Sequence, residues 1–241
     1  MSERMDNHQR AGAPESAEAA RPTTPTMAMV LTLGLVSALC GLAIVSAYEG
    51  TLPAVKNNKR IAIERAVFKV IPKAQKVVPY DALSGGVVPA AGEDVPRDAV
   101  RFYAAYDGAG AFAGIAAEGV ANGYAGPVRV MFAYLPECQC IRGFDVVSMN
   151  ETPGIGDKIL KEKHFLANFK ALDVRLNQEG TALAHELETV KQGSKTQPWQ
   201  VDAIAGATVT SRAVGKGIND AAKVLLPRLL PHAEQIRSAK P

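Results

Sequence analysis

Apolar positions along this chain recur with more than one period, and each change of period marks a change of element. Residues 27–48, MAMVLTLGLVSALCGLAIVSAY, contain no charged side chain and are long enough to cross a hydrocarbon core as a helix. In AIERAVFKVIP the spacing is helical, with Ile63, Val67 and Val70 on one face until Pro72 stops the pattern. A stalk helix is expected there. SGGVVPAAGEDVP carries too much Gly and Pro for regular structure and reads as a loop or edge segment. From Val100 the period is that of strands: VRFYAAYD, the turn DGAG, AFAGIAAEGV, VRVMFAYL and IRGFDVVS follow one another with short turns. Helical spacing returns with Ile159, Phe165 and Phe169. VRLNQEGTALAHELETVKQG is ambiguous and could be an extra hairpin. In TSRAVGKGINDAAKVLL, Val214, Ile218, Ala221, Ala222 and Leu225 share one face, and Pro227 should end that helix.

The pattern predicts an α+β fold, an antiparallel sheet covered by helices, behind one N-terminal transmembrane helix. The expected organisation is a disordered tail over 1–26, the span over 27–48, a stalk helix and linker over 49–80, a globular domain over 81–226 and a C-terminal tail over 227–241. A cleaved signal peptide is the rival reading of the apolar run, because Val45 and Ala47 are small enough for a cleavage site. The length of the run and a leader of mixed charge stand against it.

Composition changes this picture little. The 241 residues leave room for one sizeable domain plus appendages, and a net charge of +3 without a dense basic and aromatic mixture gives no reason to expect a nucleic-acid partner. Charge distribution does add a conflict. Arg4, Arg10 and Arg21 precede the span among four acids, whereas Lys56, Lys59, Arg60, Arg65 and Lys69 follow it, so the charge bias would leave the C-terminal part in the cytoplasm. Cys40 lies in the apolar run. Cys138 and Cys140, in PECQC, occupy a hairpin loop as two thiols or as a local disulfide, and the four histidines are scattered without ligand spacing, so no metal site is expected.

Three stretches are candidates for chemistry. VDAIAGATVTSRAV surrounds Thr208 and Thr210 with small residues at a helix start, where backbone N–H groups lack intrahelical partners and an anion is welcome. Considered alone, Thr208 reads as the helix N-cap. NETPGIGDK places Pro153, Gly154 and Gly156 in an irregular turn in which Glu151 and Thr152 could hydrogen-bond a polar ring edge; the plainer reading is a strand-to-helix loop capped by Asp157. In GYAGPVRVMF, Gly123 and Gly126 bracket Tyr124. No acid, base and nucleophile converge, so no independent catalysis is expected.

In order and spacing, GYAGP, ETPGIG and DAIAGATVT resemble one family: the G subunit of the Rnf (Rsx) ion-translocating electron transport complex, an FMN-binding domain shared with the C subunit of the sodium-pumping NADH:quinone reductase. The resemblance runs from the apolar span to about Leu226. It implies FMN joined covalently through its phosphate to Thr208, with Gly206, Ala207 and Thr210 around the attachment point. It further implies Glu151, Thr152, Gly154 and Gly156 near the flavin, and Asp202 as the acid recognised by a separate flavin transferase. Ala205 stands where the family has Ser or Thr, and Met149 where many relatives have His. The implied function is electron relay between subunits in ferredoxin- and NAD-linked chemistry coupled to ion movement. The implied partners are the other membrane and peripheral subunits, the transferase and membrane lipid. The implied location is the bacterial inner membrane, single-pass, with the flavin domain on the periplasmic side, against the charge bias. Two alternatives stay open: the C subunit of the quinone reductase, and a cofactor-free membrane-anchored scaffold in which Thr208 is only a cap.

Overall fold

The computed structural model describes residues 25–92 and 94–239. Apart from Pro25 and Thr26, the tail expected over 1–26 lies outside them. The chain divides into two compact units, Met1–Ala54 and Val55–Pro241.

In the first unit, helix α1 (Thr26–Val70) begins and passes through the whole apolar run. Leu31, Leu35, Leu39 and Leu42 are exposed along it, and it is long and apolar enough to cross a membrane. The expected span and stalk are one continuous helix. Pro53 lies inside it, forfeiting a single backbone bond rather than breaking it.

The second unit is built on a seven-stranded antiparallel sheet in the order β2-β1-β3-β4-β5-β6-β7. The four strands expected from alternation are β3 (Val100–Tyr106), β4 (Phe112–Asn122), β5 (Pro127–Leu135) and β6 (Cys140–Ser148). Two more arise where none was expected: β1 (Lys76–Leu83), which begins inside the expected linker, and β2 (Gly86–Pro89), inside the Gly- and Pro-rich segment. Their formation depends on partners. β1 pairs along β3 from Lys76↔Tyr106 to Ala82↔Val100, and β2 is an outer strand, where Pro89 costs no central ladder bond. β7 (Leu172–Asp173) closes the other edge. A separate parallel pair joins β8 (Glu188–Val190) to β9 (Gln200–Asp202). The ambiguous stretch thus divides into a single bridge, Leu176↔Leu183, and the strand β8.

Alternation buries both faces. On one, Phe102, Ala104, Ile115, Val130 and Phe132 meet Val214, Ile218 and Leu225 of α3 (Thr208–Leu229). On the other, Ala105, Ala116, Met131 and Ala133 meet Ala66, Val67 and Val70 of α1. Between β6 and β7, α2 (Lys163–Ala167) is flanked by 3-10 turns at Gly156–Leu160 and Asn168–Lys170, and Ile159, Phe165 and Phe169 are buried as their spacing anticipated.

Two endings differ from expectation. Pro227 does not stop α3, which runs to Leu229. Nor does the chain trail away after 226: α4 (Ala233–Ser238) buries Ile236, and the Tyr106 hydroxyl donates to the Ile236 carbonyl at 2.8 Å. Burial of apolar Leu229 and Ile236 against the sheet outweighs the backbone bond lost at the proline. At the β5–β6 turn, Cys138 and Cys140 form a disulfide.

Helix α3 is seated on β4 through glycine. A Cβ on Gly119 would lie 2.5 Å from the Gly217 carbonyl oxygen, and one on Gly217 would lie 3.1 Å from the Val120 nitrogen. Both clashes are with backbone, which cannot swing aside. Gly119→Ala is therefore expected to cost about 1–3 kcal/mol, the usual cost of overpacking, read as a lower midpoint of thermal unfolding of the detergent-solubilised chain. An unchanged midpoint would refute this seating of the helix.

Candidate functional site

The site is assembled at the N-terminus of α3. Val201 of β9 is buried, and the chain then turns through Gly206, whose φ of +81° belongs to glycine. Ser211 ties this turn to the helix: its hydroxyl accepts the Ile204 N–H at 3.1 Å and donates to the Ala207 carbonyl at 2.9 Å. Helix α3 begins at Thr208 itself, after Ala207, which has no side chain with which to cap. The expectation of a Thr208 N-cap is corrected. The half-buried hydroxyl makes one long bond, 3.4 Å to the Ile204 carbonyl, and lies within the first turn rather than before it.

Glu151 joins the three sequence motifs. Its Oε1 accepts the N–H groups of Tyr124 at 2.8 Å and Ala125 at 3.3 Å, and its Oε2 accepts the Thr210 hydroxyl at 2.9 Å. Gly123 and Gly156 make room for it, because a Cβ on either would collide with the Glu151 side chain. Both carboxylate oxygens thus have protein donors, and Glu151 is a brace between the GYAG turn, its own loop and α3. Thr152 and Gly154 lie at the exposed bend of that loop. The Thr152 carbonyl accepts the Gly156 N–H at 3.0 Å, and Gly154 takes a φ of +80°. Asp157 accepts the Gly154 N–H at 2.6 Å, inside the 3-10 turn rather than as its cap; Lys161 and this N–H hold its carboxyl below the usual range.

Asp202 serves the neighbouring turn. Its carboxylate accepts the Gly193 N–H at 2.8 Å and the Ser194 N–H at 3.2 Å, while Asn168 bonds both its backbone N–H and its carbonyl at 3.1 Å. Lys195 donates to Asn168 at 3.2 Å, and burial pushes its ammonium pKa down against the pull of Asp202.

Gly206, Ala207, Thr208 and Thr210 therefore share one helix end, and Glu151 with Gly156 reaches it through Thr210. Several contributors escaped the sequence reading. Gln192 accepts the N–H of Ala205, the position where a hydroxyl was missed. Arg212 is exposed one helical turn beyond Thr208, so the i, i+4 spacing that places it beside that hydroxyl was legible. Apolar side chains are exposed beside the brace residues: Tyr124 at 78%, Ile155 at 50% and Val209 at 47%. Among the described residues no cluster of His, Cys, Asp and Glu could hold a metal ion.

Residues 123–223, which contain all three motifs, match the family described as FMN-binding domain. The relatives support the resemblance to the Rnf-type proteins. The chain is 25% identical over 193 residues to the G subunit of the ion-translocating oxidoreductase complex of Methanosarcina acetivorans, covering 80% of this chain and 90% of that protein. Over 100 residues the chain is 36% identical to the G subunit of the proton-translocating ferredoxin:NAD(+) oxidoreductase complex of Clostridium ljungdahlii, covering 42% of this chain. That alignment spans about half of the Clostridium protein, 46%. In fold, the chain is similar to Shewanella oneidensis NqrC, with a TM-score of 0.54 at 21% identity, over 75% of this chain and 99% of that one.

The residues around Thr208 suit a phosphate monoester. The Gly206 position is open, the first turn of a 22-residue helix presents its N–H groups, the Thr208 hydroxyl is weakly engaged, and Arg212 can approach from one turn on.

Two stability results follow from this geometry. Because Thr208 caps nothing, Thr208→Ala should change stability by less than about 0.5 kcal/mol, rather than the 1 kcal/mol or so of a lost cap. Glu151→Ala should cost about 2 kcal/mol and Thr210→Val about 1 kcal/mol, with the double variant less destabilised than their sum. Strict additivity in denaturant melts would show that the brace does not exist.

Proposed function

We propose that this chain is the flavin-carrying G subunit of an Rnf-type complex and holds FMN as a phosphoester on Thr208. The observation that carries the proposal is the Thr208 hydroxyl, uncapping and half-exposed at the start of α3, within Gly206-Ala207-Thr208. Bound there, FMN would supply reversible one- and two-electron uptake and release, which the side chains around Thr208 do not provide.

The residues divide the work. The first-turn N–H groups of α3 and the guanidinium of Arg212 would offset the phosphate charge. Glu151, through Thr210, holds the helix end at a fixed place relative to the 151–156 loop. Thr152, Gly154 and Gly156 give that loop a small, open surface, and Tyr124, Ile155 and Val209 offer apolar area to a planar ring. Asp202 shapes the turn at Gly193 and Ser194 and would act in transferase recognition through that turn, since both its oxygens are already bonded. A covalent tether removes loss by dissociation, which suits a compartment poor in free FMN.

The names of the relatives supply the setting: a membrane complex linking ferredoxin and NAD redox chemistry to ion transport, with its other subunits as partners. Helix α1 is the proposed anchor in the bacterial inner membrane. The Cys138–Cys140 disulfide supports a periplasmic flavin domain, because such bonds persist in oxidising compartments. The charge bias after the span points the other way, and large domains are translocated despite it. Alignments over most of the chain to G subunits of ion-translocating oxidoreductase complexes favour this reading over the quinone-reductase alternative.

Co-expressed with a flavin transferase, the denatured wild-type chain should give a fluorescent gel band that is absent for Thr208→Ala and several-fold weaker for Arg212→Gln. A dark wild-type band would overturn the flavoprotein reading and favour the scaffold, with Ala205 as the break in the motif. In intact cells, Cys138 and Cys140 should resist thiol alkylation until a reductant is added. Their labelling without reductant would place the domain in the cytoplasm.

A further inference from the structure

Two turns of the same build precede α3. The parallel strands β8 and β9 end in register, with Val190 opposite Asp202, and each is followed by a glycine-containing turn. Residues 191–194 close when the Ser194 N–H donates to the Lys191 carbonyl at 3.0 Å, and residues 204–207 close when the Ala207 N–H donates to the Ile204 carbonyl at 3.0 Å. The third residue of each turn is a glycine in the left-handed region, Gly193 at a φ of +78° and Gly206 at +81°.

Two side chains link these turns. Asp202 holds the first, through the N–H groups of Gly193 and Ser194. From that turn Gln192 reaches the second, where its Oε1 accepts the Ala205 N–H at 2.9 Å. This N–H belongs to the same peptide unit as the Ile204 carbonyl, to which the Thr208 hydroxyl donates at 3.4 Å. A peptide unit is planar, so holding its N–H also directs its carbonyl. Ala205 brings no polar side-chain atom, and Gly206 beside it leaves the backbone free to turn. Gln192 is therefore the side chain that aims the carbonyl on which the Thr208 hydroxyl rests. Because Gln192 is exposed, water could satisfy the Ala205 N–H in its place, and the bond adds little to stability. What it contributes is orientation.

We propose that Gln192 is a positioning residue for the loading of Thr208, joining the turn held by Asp202 to the acceptor hydroxyl. The proposal rests on the reading that Thr208 carries the flavin phosphate. In loading, Thr208 Oγ bonds to the phosphorus of a flavin phosphoanhydride, the departing nucleotide phosphate takes the electrons of the broken anhydride bond, and the hydroxyl proton passes to the transferase. Orienting a reacting group is worth orders of magnitude in rate. Gln192 acts on the hydroxyl through the Ile204–Ala205 peptide and not by contact with the flavin.

The test follows loading of the purified, unloaded full chain in detergent by a flavin transferase, read as in-gel fluorescence against time over a range of chain concentrations. Gln192→Met keeps the length of the side chain and removes its acceptor. It is expected to lower kcat about tenfold while KM for the chain and the thermal midpoint stay as in wild type. Gln192→Glu keeps an acceptor and should load within about twofold of wild type. Unchanged loading of Gln192→Met overturns the proposal, as do equal losses in the Met and Glu variants. A raised KM with unchanged kcat also overturns it, by making Gln192 a contact for the transferase, and a lowered midpoint with unchanged kcat does so by leaving only a structural bond. A dark wild-type band at saturating transferase refutes the flavin attachment instead, whatever the Gln192 variants do.

Discussion

One carboxylate holds the candidate site together. Glu151 accepts two N–H groups from the turn at Tyr124 and Ala125 and one hydroxyl from Thr210 on α3, three donors from two distant stretches of chain. Hydrogen bonds to an ionised acceptor are about twice as strong as neutral ones, so this single side chain can register a helix end against a loop and a hairpin. Gly123 and Gly156 are small for the same reason: the carboxylate occupies the volume that their Cβ atoms would need.

The brace works because α3 is already close to the sheet. Backbone contact between Gly119 and Gly217 lets the helix approach nearer than any side chain would permit, and the large buried residues Phe102, Phe132, Ile218 and Leu225 fill the remaining space. A helix seated on backbone has little freedom to slide, so its first turn stays where the Glu151 loop needs it. Packing thereby fixes the position of Thr208, although the hydroxyl itself contributes little to stability.

The two ends of the second unit face different physical demands. Near the apolar run, α1 is exposed and basic; on the sheet, α1 is buried through small residues that meet alanines of β3, β4 and β5. At the β5–β6 turn, a disulfide spans the only residue apart from glycine that takes a positive φ among those described, Gln139 at +47°. Charge, burial and redox chemistry are thus distributed along the chain with the compartments proposed for it.

Much was legible without coordinates. Alternation revealed β3 to β6, because each strand buries one or both faces and writes a period of two; the helical period of α3 and the uncharged length of α1 were equally direct. The ordered motifs drew attention to the Thr208 end of α3, where the structure brings the stretches around residues 124, 151 and 210 together. Other features depended on partners distant in sequence. β1 and β2 exist because β3 offers an unpaired edge, and Pro227 stays within α3 because Leu229 and Ile236 have apolar surface to cover. Glu151 braces three stretches of chain, a role that no local pattern showed, and Thr208, which read as a cap when considered alone, is not one. The sequence by itself determined which segments are apolar, periodic or pliable, since those are properties of neighbours along the chain. Only the tertiary structure decided which donors meet which acceptors, because a hydrogen bond is specified by distance and angle in space, and residues 124, 151 and 210 become neighbours only after the chain has folded.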